Sequence, residues 1–248
     1  MADLLLKTTH TDIGLRILGV AGGAGHIYHG RCSSSFLILK DDHPICLIDL
    51  GLGVTCRLKD YGYTLPDTLV ITHNHTDHAG ELPVVLRVES AQQRQLNIVA
   101  AAPVAERLKR YRMAEHAELF QPEELANWIA PAPETTTPLV DDLDITFHAA
   151  QHSELCFGFV ISREGIPLIG YTADSGCFAP LYEALADCRV AIYDARPAGS
   201  RWHAGLDEVA PYLNDQAYII GHDLDEQNIP DDSRLLRPGQ YIHLAEDH

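Results

Sequence analysis

The sequence predicts an α/β protein, an αββα sandwich in which two mixed β-sheets are flanked by helices. Three observations lead to this fold class. Short apolar runs alternate with segments of helical periodicity in both halves of the chain. A proline-rich connector at residues 130–138 separates the halves. The polar residues of greatest chemical interest follow directly after predicted strands. Strands and helices paired in this way pack as layers around one core, so we expect residues 1–248 to form one domain.

The elements of the first half follow from apolar runs and their periods. Runs bounded by turn residues predict five strands, at residues 15–20, 35–39, 45–48, 68–71 and 96–100. Apolar residues at helical spacing predict three helices, at residues 81–95, 103–113 and about 122–129. In the first of these helices, the residues expected to face inward are Leu82, Val85, Leu86 and Val88.

A glycine-rich segment follows the first strand, at residues 21–31. It is predicted to be a flexible turn. No Gly-Lys-Ser or Gly-Lys-Thr follows the glycines, so the sequence excludes a P-loop. Its larger polar residues could border a pocket: His26, Tyr28, His29 and Arg31.

The second half repeats the alternation of strands and helices. Its predicted strands lie at residues 143–149, 157–162, 167–171, 190–194 and 217–221. Its predicted helices lie at residues 180–187 and 206–213. The connector between the halves is therefore expected to join two layers of one fold rather than two independent domains.

Composition excludes several classes of protein. No run of roughly 18 apolar residues occurs, so no membrane span is predicted. The first residues lack the basic start and apolar core of a signal peptide. The net charge of −17 argues against a surface for long nucleic acid, but it permits a small anionic substrate at a metal site. Six cysteines without a Cys-x-x-Cys pair favour reduced thiols in a cytoplasmic protein.

The densest chemical signal follows the fourth predicted strand. Three histidines and one aspartate occur within six positions, as His73-x-His75-x-Asp77-His78, and Gly80 follows. Imidazole and carboxylate donors at this density suit a divalent ion, Zn²⁺ first. If the segment is an irregular turn, its side chains can point to two sides and serve two adjacent metals. The alternative is a solvated polar loop that is rich in histidine by chance.

This motif resembles the metal-binding motif of the metallo-β-lactamase superfamily. The resemblance implies an αββα fold and further ligands after later strands, and His152, Asp174 and His222 stand at the matching positions. Asp174 lies in Ala-Asp-Ser where the family more often has Gly-Asp-Thr. The implied ligand sets are His73, His75 and His152 for a first metal, and Asp77, His78 and His222 for a second, with Asp174 bridging them.

The resemblance also concerns residues around the ligands. Asp49 directly follows the third predicted strand, where the family commonly has an aspartate that supports the ligand loop; a helix N-cap or turn is the alternative. The glycine-rich segment and the following Arg31-Cys32-Ser33-Ser34-Ser35-Phe36 resemble the opening of the ribonuclease-Z-like phosphodiesterase branch. In that branch a histidine near the position of His203 protonates the leaving group. The surrounding Trp-His-Ala-Gly departs from the usual sequence of the branch. The alternative is that His203 is a loop histidine that caps a helix.

These observations predict a dinuclear metal-dependent hydrolase, with Zn²⁺ favoured and Mn²⁺ or Fe as further candidates. The favoured activity is that of a phosphodiesterase on a small or cyclic nucleotide, with a metal-bridging hydroxide as nucleophile. Asp77 would orient the nucleophile and His203 would act as general acid. The branch often forms homodimers. The alternatives are a lactone or thioester hydrolase, an iron-dependent oxidoreductase of the same fold, and a metal-stabilised scaffold without activity.

Overall fold

The computed structural model describes residues 12–221 and 232–244, and its strands form two mixed sheets. The strands are β1 Ile13–Gly19, β2 Ser35–Lys40, β3 His43–Ile48, β4 Thr68–Val70, β5 Leu96–Val99, β6 Ala126–Ile129, β7 Thr137–Val140, β8 Leu143–Ala149, β9 Phe157–Arg163, β10 Ile166–Tyr171, β11 Val190–Ala195, β12 Ala217–Gly221 and β13 Tyr241–Leu244. The first sheet has the order β13-β1-β2-β3-β4-β5-β6 and the second has the order β12-β11-β10-β9-β8-β7. In each sheet an antiparallel meander continues into parallel strands, β3 to β6 in the first and β10 to β12 in the second.

Short helices connect and cover the sheets. They are α1 Gly23–Tyr28, α2 Val54–Asp60, α3 Thr76–Ala79, α4 Leu82–Ala91, α5 Ala102–Tyr111, α6 Pro122–Leu125, α7 Ala179–Leu185 and α8 Leu206–Val209, with 3₁₀ turns at Arg112–His116 and Ala210–Tyr212. The predicted fold class, an αββα sandwich, is therefore confirmed. Among the described residues, no helix has both the length and the apolar character needed to cross a bilayer.

The core lies between the two sheets. Residues 35–39 of β2 are all buried, which explains why this strand appears in the sequence as an apolar run rather than as an alternation. Phe36 of the first sheet contacts Tyr171 of the second edge to face, with ring centroids 5.4 Å apart. Burying each such side chain contributes about 2–3 kcal/mol. These contacts hold together the strand ends that carry the site.

Three predictions about elements in the first half are wrong. Residues 23–28, within the predicted flexible turn, form helix α1, whose first N–H group donates to the Asp77 carboxylate and so gains a partner. Residues 126–129 form strand β6 rather than the end of a helix, because they pair in parallel with β5. Val88 is 46% exposed, because it lies one turn after exposed Val84 on the outer face of α4.

Other predictions agree with the structure. Leu82, Val85 and Leu86 are buried as expected. The chain changes from the first sheet to the second between β6 and β7, within the connector at residues 130–138. All six cysteines are free thiols, and four of them are buried. Four elements had no sequence prediction: helices α2 and α3, strand β7, and strand β13, which returns to pair with β1 in the first sheet.

Candidate metal centre

The candidate site lies where strands of both sheets end. His73 and His75 follow β4 of the first sheet, whereas His152 and Asp174 follow β8 and β10 of the second. Backbone hydrogen bonds join these loops, both between the two sheets and within the second sheet. The Phe157 N–H group donates to the Thr72 carbonyl at 3.2 Å, and the Gly176 N–H group donates to the Gln151 carbonyl at 2.8 Å. The loops therefore hold one another in register around a common space.

Four of the predicted ligands form a first group of donor atoms. His73 Nε2 lies 3.2 Å from His75 Nδ1, and His152 Nε2 lies 3.0 Å from the same atom. Asp174 Oδ2 lies 3.8 Å from His152 Nε2. One donor atom from each of the four residues lies within 4.8 Å of the other three.

A second group shares Asp174 with the first. His78 Nε2 lies 3.2 Å from Asp174 Oδ1 and 3.9 Å from Asp77 Oδ2. The two carboxylate oxygens of Asp174 thus face different groups of histidines. The N–H group of Gly23 donates a hydrogen bond to Asp77 Oδ2 at 2.8 Å. The remaining predicted ligand, His222, lies outside the described residues.

Hydrogen bonds determine which nitrogen of each ring faces the site. The Thr72 hydroxyl donates to Asp49 and can accept a hydrogen bond from His73 Nδ1 at 3.0 Å. His78 donates from Nδ1 to Asp49 at 2.7 Å. His152 donates from Nδ1 to the Trp202 carbonyl at 3.1 Å. In His73 and His152 the outer nitrogen carries the proton, so Nε2 presents a lone pair to the site. In His78 the bond from Nδ1 to Asp49 turns Nε2 toward Asp174.

The electrostatics of the site favour a cation. Burial, with the neighbouring imidazoles, holds the pKa of His73 well below its usual value, and burial also lowers the pKa of His152. For His78, burial alone would lower the pKa, but the Asp174 and Asp49 carboxylates outweigh burial and raise it well above the usual value. The carboxylates thus create a negative potential at a fully buried ring.

The residues present fit a divalent metal. Three ring nitrogens and a carboxylate oxygen converge within 4.8 Å, and His73 and His152 both direct Nε2 lone pairs into this space, which favours positive charge among them. In a tetrahedral zinc site with Zn–N distances of about 2.0–2.1 Å, neighbouring nitrogens lie about 3.3 Å apart. The observed nitrogen separations of 3.0 and 3.2 Å are close to that value.

His203 lies beside the first group. Its ring centroid is 5.0 Å from that of His152, and its Nδ1 lies 2.8 Å from Asp194 Oδ2. Arg196 can only donate, and its Nη2 lies 2.9 Å from His203 Nε2, so this ring accepts at Nε2 and donates from Nδ1. The alternative of a helix cap does not hold, because the N-cap of α8 is Gly205.

Sequence reasoning missed several residues that shape the site. Asp194 is the penultimate residue of strand β11. It directly follows an apolar run, as Asp174 nearly does, and this was a signal that the sequence offered. Arg112 gave no such signal. Its Nη2 donates to the Asn74 carbonyl at 2.5 Å and its Nε to the Asn74 side chain at 3.0 Å, which fixes the residue between His73 and His75. Only the tertiary fold reveals this clamp.

Comparison with known proteins identifies the family. A family model described as beta-lactamase superfamily domain matches residues 55–217, and the chain belongs to that family. Its resemblance to metallo-β-lactamase-fold proteins is thereby confirmed. The family comprises metal-dependent hydrolases, and this chain has a His and Asp cluster that could hold a metal.

Three relatives have informative names. Ribonuclease J 1 of Streptococcus pyogenes serotype M3 is 28% identical over 174 residues, 64% of this chain and 30% of the relative. Ribonuclease Z of Clostridium beijerinckii is 28% identical over 162 residues, 59% of this chain and 48% of the relative. A metal-dependent hydrolase of Methanosphaera stadtmanae is 24% identical over 178 residues, 71% of this chain and 74% of the relative. The matches span less than half the length of the two ribonucleases.

Solved structures share the fold over most of the chain. The metallo-beta-lactamase fold protein YhfI from Bacillus subtilis has a TM-score of 0.72 at 15% identity and covers 94% of this chain and 100% of its own. The short form of human tRNase Z has a TM-score of 0.69 at 15% identity, with coverage of 94% and 100%. At such identities the likeness establishes the fold alone.

Proposed function

We propose that the protein is a dinuclear metal-dependent phosphodiesterase that acts on a small or cyclic nucleotide. The observation that carries this proposal is Asp174, whose two oxygens face two different groups of donors. A shared carboxylate between two cations is typical of enzymes that clamp the attacking and leaving oxygens of a phosphoryl group. The ribonuclease Z relative supports the same reaction class.

The proposed ligand sets divide between the two metals. His73, His75 and His152 would hold the first, Asp77, His78 and His222 the second, and Asp174 both. Zn²⁺ suits the imidazole and carboxylate donors, and Mn²⁺ and Fe are the alternatives. When bound, such ions supply Lewis acidity toward the phosphoryl oxygen and lower the pKa of water.

The protein's own groups would position the reactants and move a proton. Asp77, held by the Gly23 N–H group, would orient the attacking water. His203 would become the general acid by taking a proton on Nε2, the nitrogen that Arg196 now contacts. Asp194 on Nδ1 would stabilise the resulting imidazolium. The six free thiols fit a reducing compartment, and we therefore assign the protein to the cytoplasm.

Hydrolysis of bis(p-nitrophenyl) phosphate tests the reaction class. We expect the purified protein to contain a transition metal and to release p-nitrophenolate from this diester. The His152→Ala variant should lose bound metal and activity together. His148→Ala is the matched control, because His148 lies on β8, shortly before His152, but contacts Glu134 at 2.8 Å instead of the site.

A panel of cyclic nucleotides, linear phosphodiesters, lactones and thioesters then ranks the substrates. Turnover of lactones or thioesters without turnover of any phosphodiester would contradict the proposal and favour a carbonyl hydrolase. Oxygen consumption by an iron-containing preparation would instead favour an oxidoreductase. Wild-type protein that holds no metal would contradict all three activities.

A further inference from the structure

A second pocket lies beside the candidate metal centre. It has a volume of about 330 Å³, which is within the usual size range of ligand pockets. Its polar lining is basic and consists of His26, Arg31, Arg57 and Arg237. None of the described lining residues is acidic, although the chain as a whole has 35 acidic and 18 basic residues. Such a concentration of positive groups in an acidic protein indicates an anionic ligand.

Short stretches of chain connect the lining of the pocket to the metal centre. Ala21 lines the pocket, and two residues later Gly23 donates to the Asp77 carboxylate at 2.8 Å. Gly221, the last residue of β12, also lines the pocket and directly precedes the proposed ligand His222. The pocket therefore opens at the same edge of the sandwich as the metal centre.

The basic residues are held on anchored elements. Arg57 lies on α2, with its guanidinium 5.5 Å from the ring centroid of Tyr61 and 3.9 Å from the exposed Asp60 carboxylate. A contact of that length at the surface is weak, so Arg57 can still bind an anion. The Arg237 N–H group donates to the Gln240 side chain at 3.1 Å, and Gly239 in the same turn bonds to β1 at 2.8 Å. The backbone of the turn is thus anchored, and the exposed Arg237 side chain extends from it.

The rest of the lining is apolar. Val20, Leu235, Leu236 and Pro238 contribute this surface. A pocket that combines guanidinium groups with aliphatic groups fits a phosphate attached to a sugar and base. Guanidinium forks match the oxygens of a phosphate group better than an ammonium does.

We propose that this pocket binds a second phosphate of the substrate, so that the preferred substrates are nucleotide phosphodiesters with an additional phosphate group. This inference rests on the proposed phosphodiesterase function and specifies its substrate class. The scissile diester would lie at the metal centre, and the additional phosphate would lie between Arg57 and Arg237. A chain with a net charge of −17 gains from such a pocket, because it offsets the repulsion of a multiply charged substrate.

Two chromogenic substrates test the proposal through activity. One is the p-nitrophenyl ester of thymidine 5′-phosphate, and the other is the same ester with an additional 3′-phosphate. We expect the wild type to show a kcat/KM that is at least about tenfold higher for the second substrate, from charge-assisted hydrogen bonds to the additional phosphate. The ratio should fall toward one in the Arg57→Gln and Arg237→Gln variants. The matched control is Arg110→Gln, which removes the same charge from the exposed end of α5 and should preserve the ratio.

Binding to the protein as isolated separates the two proposals. Calorimetric titration with thymidine 3′,5′-bisphosphate should give a Kd that rises at least about tenfold in Arg57→Gln and Arg237→Gln, and stays unchanged in Arg110→Gln. Arg237 is exposed, so its substitution should leave the fold intact. Arginine-dependent binding without hydrolysis of either ester would refute the phosphodiesterase assignment and retain the pocket. Bisphosphate binding of equal strength in wild type and both pocket variants would overturn the inference, whether or not the diesters are hydrolysed.

Discussion

Asp49 shows how one residue can organise several ligands. It is fully buried and has a φ of +59°, a conformation that asparagine and aspartate tolerate better than other residues with a side chain. Its carboxylate accepts hydrogen bonds from the Thr72 N–H group, from the Thr72 hydroxyl and from His78 Nδ1. Burial raises its pKa, and the His78 ring and the Thr72 donors oppose that effect. The loop that carries His73 and His78 is therefore oriented from one buried carboxylate.

The Asp49→Asn variant isolates the contribution of the carboxylate. Asparagine tolerates the backbone conformation but replaces one acceptor oxygen with a donor, which then opposes either the His78 or the Thr72 donor. We expect metal affinity to fall by about 10- to 100-fold. Competition with a chromogenic chelator measures this change. Unaltered affinity in the folded variant would show that Asp49 does not orient the ligands.

His203 makes a prediction that depends on the leaving group. Its Asp194 contact at 2.8 Å holds the ring beside the first group of donors. The His203→Asn variant should lose about 10²- to 10⁴-fold in kcat toward a diester with an alkoxide leaving group, which needs a proton. With p-nitrophenolate, a stable anion that needs none, kcat should change little. Equal losses for both leaving groups would exclude the role of general acid.

At the scale of elements, local patterns predicted strands better than short helices. Two patterns of strand length gave β8 and β12 with their bounds: β8 alternates buried with partly exposed residues, whereas β12 is a mostly buried apolar run. Residues 126–129 were misassigned because Ala-Asn-Trp-Ile has no clear period of its own, and pairing with β5 decides its conformation. Strand β13 was missed because its pairing with β1 brings together residues more than 200 positions apart.

The candidate site was more predictable than some of its surroundings. Residues that follow apolar strands could be recognised one strand at a time, and the structure brings His152 and Asp174 to the His73 loop. Contacts between residues that are far apart in the sequence leave no such local pattern. The Arg112 clamp on Asn74 and the Gly23 bond to Asp77 depend on how α1 and the turn after α5 pack against the loop.

Helix α1 gives a prediction with its own control. Gly23 has a φ of +71°, and a methyl group there would meet no atom within 4 Å, so only backbone strain opposes a larger residue. We expect Gly23→Ala to lower the free energy of unfolding by roughly 1–2 kcal/mol and to weaken the support of Asp77. Gly25 is equally uncrowded but has no positive φ. Gly25→Ala should stabilise the protein by up to about 1 kcal/mol, because alanine favours a helix. Urea unfolding compares the two variants, and a loss of equal size in both would contradict the explanation.

At the scale of the whole molecule, the site connects the two sheets. The first sheet contributes His73, His75, Asp77 and His78, and the second contributes His152 and Asp174. A backbone bridge between His73 and Cys156 also joins the two sets of loops. Ions bound among these donors would therefore link both layers of the sandwich. Stability and metal occupancy should change together.

Removal of metal should lower the thermal stability of the whole protein. A ligand at a thousand times its Kd that binds only the folded state contributes about 4 kcal/mol. For a chain of this size each kcal/mol corresponds to about 2–4 °C. We therefore expect a chelator to lower Tm by roughly 8–16 °C, and Zn²⁺ to restore it. The His152→Ala variant should start from the lower Tm and respond to neither addition, whereas His148→Ala should respond like the wild type. Donors from both sheets surround the same space, so the bound ion should stabilise both. If a chelator lowered the Tm of His152→Ala as much as that of the wild type, the stabilising ion would bind elsewhere.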